Sequence, residues 1–415
     1  MASAAAAQEQ PRKLKILILS GANNHDWRKT TPALKEILES CGRFVCDITY
    51  EPAKCTLETF KQYDALLSDY NGPRWGEAAE QGLLQYVREG GGFVVIHAAN
   101  NAFPDWPEYE KLIGGAWRKG SGHGAKHSYV VKIVNHEHPI TRDMPDFQHS
   151  IDELYHRLRM QENITLLATA YSDPKTRGTG RDEPMFWTVN YGKGRVFQVV
   201  MGHDLRAHDV PFKTVVRRGT EWAATGEVTI PIPDNWPAPG TDLCALQGFL
   251  SKWFVIGPWP NKGGAAFEQT LPPEQGVDLG AKYTVTVAGE QREIAWKFVN
   301  GDPGDGHVDL ERAVGRLDNV CAFVYAEVTV PQAQDVLLKL GSDDGVVVYL
   351  NGKRIHAINV TRGLKVDQDV VQARLEAGVN KLLFKVLQGR GRWGLVARIT
   401  DREGQPIKFT LREGQ

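Results

Sequence analysis

The stretch Gly90 to Phe103, GGGFVVIHAANNAF, restricts what this chain can fold into more than any other. Its glycine cluster turns a helix end into Phe93-Val94-Val95-Ile96, an apolar, β-branched run of the length expected of a strand buried on both faces. The run stops at His97. The small, polar Ala98-Ala99-Asn100-Asn101 follows, as suits a loop or helix start lining a pocket at the carboxyl end of a parallel strand, where open α/β sheets bind ligands. A buried ring with one hydrogen bond to a carbonyl would explain His97 taken alone.

The segments around this pivot repeat one rhythm. Leu14 to Leu19 reads as a first central strand closed by Ser20-Gly21, and Ala22 to Trp27 leads into a helix with Leu34, Ile37 and Leu38 at helical spacing and Pro32 in its first turn. Phe44 to Tyr50 and Asp64 to Tyr70 read as strands, and the amphipathic segment between Trp75 and Glu89 as a helix. Strand and helix alternating this way predict right-handed crossovers and a parallel, doubly wound α/β sheet. Past the pivot, Pro107 to Ile113 reads as a short helix ended by Gly114-Gly115, Tyr129 to Val134 and Ile164 to Tyr171 as strands, and His138 to Thr141 as a turn. Met185 to Asn190 and Arg195 to Met201 form a hairpin across a glycine-containing turn, and Pro211 to Thr225 is the closing helix.

The pattern changes at the proline-dense segment around Ile230 to Gly240, which predicts a stiff extended linker. Short strands follow: 254–256, 324–330, 336–340, 346–350, 370–375, 381–386 and 395–399. Asp343-Asp344-Gly345 and the strong hairpin signal Asn351-Gly352 punctuate them, and the whole predicts an antiparallel sandwich or jelly roll. The expected organisation is a tail or signal-peptide remnant over 1–12, an α/β domain over 13–229, a Pro-rich linker over 230–246 and a β-sandwich over 247–415. Two domains are what a chain of 415 residues leads one to expect.

Composition excludes several classes. A formal net charge of -1 leaves no basic footprint for nucleic acid. No apolar run approaches the roughly 20 residues that span a bilayer. Five cysteines without CxxC spacing signal neither a zinc knuckle nor a full disulfide framework. The Ala-Ser-Ala start before Gln-Glu-Gln resembles the remnant of an export cleavage region, pointing to a periplasmic or secreted protein; a cytoplasmic tail is the alternative.

Ten of the twelve histidines precede the linker, and His25, His97 and His203 each fall just past the carboxyl end of a predicted core strand. A doubly wound topology gathers such positions on one sheet edge, although sequence separates them widely. Imidazoles converging with a carboxylate are what a catalytic divalent metal of the zinc or manganese type needs. Asp26, Glu153 and Asp204 are the candidate carboxylates. Without a metal, each histidine would bind a sugar hydroxyl or cap a loop. The cluster Phe147 to His156 adds two carboxylates and two histidines, Glu153 and His156 among them, that suit a general base or a ligand. Gly122-His123-Gly124-Ala125-Lys126-His127 suits a lid over an anionic or hydroxyl-rich ligand. Trp27, Trp75, Trp106 and Trp117 lie in or beside these loops, where aromatic faces among Asn, Asp and His would take pyranose rings. Trp27, Trp106, Asn100 and Asp26 are the candidate substrate contacts.

SGANNHDW at the first strand end, GGGFVVIHAANNAF, HPIT, DELYH and the final GHD together resemble the ThuA-like (trehalose utilisation) family over Leu14 to Thr225. That resemblance implies the fold of class I glutamine amidotransferases, a flavodoxin-like sheet. Ile96-His97-Ala98 departs from the amidotransferases, which carry a nucleophilic cysteine on the elbow after the equivalent strand, so cysteine-dependent glutamine hydrolysis is not expected. The family is associated with bacterial disaccharide use through 3-keto sugars, and some members look like metal-binding proteins. SDDGVVVYLNGKRIH and GVNKLLFKVLQGRGRWG in the second half are similar to galactose-binding-like and PA14-like sandwiches appended to secreted bacterial sugar enzymes.

The expectation is a carbohydrate-active enzyme that cleaves glycosides oxidised at C3. The ketone acidifies the hydrogen on C2, a base removes it, the C1 substituent leaves, and water adds back. A metal on His25, His97 and His203 would act as Lewis acid on the ketone; Glu153 or His156 would be the base, and His127 or Asp204 the proton donor to the leaving oxygen. No nicotinamide cofactor is expected, and the partner is a small sugar or glycoside, with oligomerisation open. The alternatives are a non-catalytic carbohydrate-binding protein, a direct glycoside hydrolase, for which no facing carboxylate pair emerges, and a regulatory partner of amidotransferase fold.

Overall fold

The computed structural model describes residues 12–302 and 304–414 and divides into two compact units between Thr241 and Asp242. The alanine-rich start lies outside the described residues up to Pro11.

In the first unit, apolar runs become strands and amphipathic segments become helices. The elements are β1 (Leu14–Leu19), α1 (Trp27–Glu39), β2 (Phe44–Thr49), β3 (Ala65–Ser68), α2 (Glu77–Arg88), β4 (Gly92–Ile96), α3 (Pro107–Ile113), β5 (His127–Ile133), β6 (Phe147–Asp152), β7 (Ile164–Tyr171), β8 (Asp182–Tyr191), β9 (Gly194–Val199) and α4 (Val210–Thr225). Among the described residues they build a nine-stranded sheet in the order β2-β1-β3-β4-β9-β8-β7-β5-β6. The strands from β2 to β9 pair in parallel, in register such as Val196 with Phe93. Every residue of β4 is buried, as a strand covered on both faces requires. From β9 to β6 the pairing is antiparallel. The sheet is thus mixed rather than parallel throughout, because β8 returns on β9 by a hairpin with Gly192 at φ 64° and no helix crosses over. The polar cluster from Phe147 forms the edge strand β6, whose residues are all buried.

The proline-dense segment after α4 lies along the first unit. Glu221 accepts the backbone N–H groups of Thr229 and Ile230 at 2.8 and 3.1 Å, and Trp236 packs on Phe147. Nearby, Arg218 is buried and pins the HPIT turn by donating to the carbonyls of Ile140, Pro139 and Arg142. His138 in that turn packs at a tilt against Trp222, with ring centroids 4.8 Å apart, and burial lowers its pKa to about 4. Because the folded value lies below the ordinary 6.5, neutral His138 stabilises the fold above pH 6.5, and this stabilisation is lost as pH falls from 6.5 through 4. Urea titrations at pH 7 and pH 4.5 should show the loss, smaller in His138→Gln by about 1–2 kcal/mol after allowing for partial exposure. An unchanged pH dependence in the variant would refute the assignment.

The second unit is built of strands in several sheets. The largest is centred on Val320–Val330 paired with Gly378–Gln388, and a four-stranded sheet is centred on Gln334–Ser342. Asn351 and Gly352 both take positive φ in the turn that joins Val346–Leu350 to Lys353–Ile358, the geometry that makes Asn-Gly a hairpin signal. The Lys385 ammonium, 1% exposed, is matched by Glu274 at 2.8 Å and the carbonyls of Ala266 and Gln269, as a buried cation must be. Among the described residues of the chain, no helix is long and apolar enough to cross a membrane.

Candidate metal centre

Three loops leave the carboxyl ends of β1, β4 and β9, and each delivers one histidine. Gly21 (φ 111°) and Gly202 (φ 101°) turn the first and third loops where a side chain has no room: a Cβ would stand 2.1 Å from the Tyr50 carbonyl oxygen or 2.4 Å from the Phe212 ring. His97 itself takes φ 43° in the sharp turn after β4, an unfavourable conformation for a residue with a Cβ. Its Nδ1 donates to the Val200 carbonyl at 2.6 Å, which locks the ring.

The rings of His25, His97 and His203 meet edge to face, with centroids 4.5 to 5.5 Å apart. Glu153, just past β6, enters between them. Its Oε2 is 3.0 Å from His203 Nδ1, 3.6 Å from His97 Nε2 and 3.8 Å from His25 Nε2. The four donor atoms all lie within 4.8 Å of one another. Burial alone would raise the Glu153 carboxyl, but His203, His25 and His97 outweigh it and hold it well below the ordinary carboxylate range. Burial likewise lowers His25 and favours its neutral form.

The surroundings test whether a cation fits. Asn23 Oδ1 accepts from His25 Nδ1 at 3.2 Å, and Val200 accepts from His97 Nδ1, so both Nε2 lone pairs face inward. Asn23 is itself held by the buried Asp69, which also accepts from the hydroxyls of Thr30 and Thr31. His203 Nδ1 is buried without an aligned hydrogen bond. Three imidazole nitrogens and one carboxylate oxygen, each oriented by a second partner, form a donor set that could hold a divalent metal ion. Donor spacings of about 3–4 Å around such an ion are close to those present. Tyr155 donates to His97 Nε2 at 2.8 Å, so its hydroxyl and a cation would compete for one lone pair.

A buried charge network braces this set. His149, fully buried, stands between Asp152 (3.0 Å) and Asp209 (2.9 Å). Burial would lower its pKa, but the two carboxylates raise it to about 10 and make it an imidazolium. Asp152, held down to about 2 by His149 against the opposing effect of burial, also accepts the backbone N–H groups of Gly202, His203 and Glu153. Asp209 caps α4 through Phe212 N and accepts Ser150 N.

Not every expected site residue joins the cluster. Glu153, read as a base, is a fourth donor facing the histidines, because its carboxylate points at all three rings. Asp26 is exposed and paired with Lys29 at 2.7 Å. Asp204 lies beside His203, 3.9 Å from its Nε2, and is tied to Arg206. His156 bonds Ser172 and His127 bonds the Ala125 carbonyl, and neither touches the four donors. Trp106 is buried against Phe103 and Tyr109 with Arg74 over its ring, so it is core, and Trp27 packs on Tyr50 under Arg28. Asn100 is fully buried, with no hydrogen bond from its side chain among the described residues. Tyr155, Asp152 and His149 lie in the polar run from Phe147 to His156 that was expected to supply a base or a ligand, though none of the three was assigned a place beside the histidines; Asp209 carried no signal in the sequence. From the predicted lid, His123 Nε2 reaches 3.5 Å from Glu153 Oε1 and Lys126 Nζ 2.5 Å from His203 Nε2.

The sequence profile described as "ThuA: Trehalose utilisation" matches residues 15–223, half of the chain. The chain belongs to the ThuA family. Its ThuA domain is similar to the crystal structure of a ThuA-like protein from Parabacteroides merdae, at 35% identity over 55% of this chain and 96% of that one, with a TM-score of 0.52. A ThuA-like protein from Bacteroides uniformis matches at 21% identity over 55% and 97%, with a TM-score of 0.45. A β-galactosidase from Rahnella sp. R3 matches at 14% identity over 90% of this chain and 41% of that one, with a TM-score of 0.37. Comparison with curated proteins finds no match.

Proposed function

We propose that the ThuA domain is a metal-dependent carbohydrate-active enzyme that cleaves glycosides carrying a ketone at C3, by elimination followed by hydration. The observation that carries this reading is the convergence of His25, His97, His203 and Glu153 beside two further proton-carrying side chains, His123 and Lys126. The family's association with trehalose utilisation supports a sugar as substrate. His25, His97, His203 and Glu153 would hold a divalent ion, which when bound would supply Lewis acidity toward the C3 ketone.

The remaining work falls to the chain. His123 Nδ1 donates to the Gly124 carbonyl at 2.8 Å, which leaves the Nε2 lone pair free to take the proton from C2. The electron pair of that C–H bond forms the C1–C2 double bond as the C1–O bond breaks. Lys126 Nζ, 3.6 Å from Asp204 Oδ2, gives a proton to the departing oxygen. Water then adds across the double bond, its hydroxyl to C1 and its proton to C2, for net hydrolysis. The side chains of His123 and Lys126 are each about one-third exposed, so the cluster is approached from their side. In a screen on 3-keto-glucosides, the metal-loaded protein should turn over and His123→Ala should lose about 10²- to 10⁴-fold in kcat. Loaded protein inert on 3-keto substrates, or equally active on unoxidised glycosides, would refute the proposal.

A further inference from the structure

We infer that the cleft between α1 and α4 of the first unit is a second ligand site, one for a small organic anion with a compact CH-rich body. The cavity has a volume of about 270 Å³, near the size of a single sugar ring with its charged substituent. Its apolar wall is Ala33 and Ile37 from α1 with Leu205, a leucine left 48% exposed. Lys213 and Arg217 from α4 supply the charge.

Three features distinguish this cleft from a plain groove between helices. Lys213 makes no ion pair or hydrogen bond among the described residues, so its charge is available. Arg217 spends Nε on the Ile37 carbonyl at 2.8 Å and one terminal nitrogen on Ser40 Oγ at 3.0 Å, which fixes the guanidinium in place and leaves the other terminal nitrogen free. His208 lines the cavity, is 7% exposed, and stacks flat on Phe212; beside the Gly202 backbone it has no well-aligned hydrogen bond on either ring nitrogen. A buried imidazole whose nitrogens are at best weakly bonded keeps capacity for a further hydrogen bond. Glu36 is the one carboxylate on the lining, so two cations against one anion leave the cleft positive. A carboxylate or phosphate would sit between Lys213 and Arg217, a hydroxyl would meet His208, and the carbon body would cover Ala33, Ile37 and Leu205.

Isothermal titration of the full chain with gluconate, glucose 6-phosphate and inorganic phosphate tests this. The two organic probes distinguish a carboxylate from a phosphate ester, and inorganic phosphate measures the bare anion. One organic probe should bind once per chain. Lys213→Gln, which removes a side chain without partners and leaves the fold intact, should weaken it about ten-fold or more, the value of one charge-assisted contact. Ala33→Leu, which fills the cleft, should weaken it too, and His97→Ala should leave it unchanged. Absence of saturable binding by all three probes would overturn the inference. So would binding indifferent to Lys213→Gln and Ala33→Leu, and binding lost in His97→Ala but kept in Lys213→Gln would place the anion at the histidine cluster instead.

Discussion

Purified with glutamine at position 153, the protein should bind a divalent metal at least about 100-fold more weakly than the parent, since even a partner one bond removed from a metal is worth 10- to 100-fold. Glu153 is the only carboxylate among the four converging donors, and its Oε2 stands within 3.8 Å of all three ring nitrogens. The amide keeps the volume but removes the charge that offsets a dication in a half-dry site. Glu153 is 7% exposed, and a neutral side chain there is less costly to bury than a carboxylate, so the fold should survive. Elemental analysis after dialysis against zinc or manganese, paired with a thermal melt, separates loss of the site from loss of the fold. Stoichiometric metal in Glu153→Gln, or none in the loaded parent, would show that these four residues are not a metal centre.

Asp152→Ala should be the most destabilising single change in the first unit, costing about 3–5 kcal/mol, the range for breaking a buried ion pair by deleting one partner. Asp152 and His149 are both fully inaccessible, so the variant leaves an imidazolium in the interior with Asp209 as its single counter-charge. It also strips the acceptor from the N–H groups of Gly202, His203 and Glu153. For a unit of this size the midpoint of thermal unfolding should fall by roughly 10 °C. Because those three N–H groups carry or adjoin two of the metal donors, metal affinity should fall as well. Asp152→Asn, which keeps an acceptor oxygen but loses the charge, should lie between parent and alanine. A shift below about 1 kcal/mol in Asp152→Ala would mean that the network does not brace the loops.

How far the site could be read in advance follows from where each residue sits. His25, His97 and His203 each follow an apolar run that can only be a covered strand, and parallel strands expose their carboxyl ends on one edge. Strand periodicity and loop position therefore sufficed to group them, although 178 residues separate the first from the last. The β4 strand and the hairpin of β8 and β9 were legible for the same reason, since alternation, apolar runs and glycine turns are local signals. Trp106 shows the limit of such signals: a tryptophan beside a loop looks the same whether it faces a ligand or, as here, Phe103 and Tyr109.

The sequence alone determined the two-part organisation, the strand ends and the three histidines, because each depends on contacts close along the chain or on the geometry common to parallel sheets. Only the tertiary structure decided which of Asp26, Glu153 and Asp204 faces the histidines. Glu153 belongs to the far edge of a nine-stranded sheet, and it arrives because β6 meets the turn after β9, with Ser150 Oγ donating to the Arg206 carbonyl at 2.8 Å. Twist accumulates over every strand between β9 and β6, so the meeting of the two ends is a property of the whole sheet that no local residue pattern encodes.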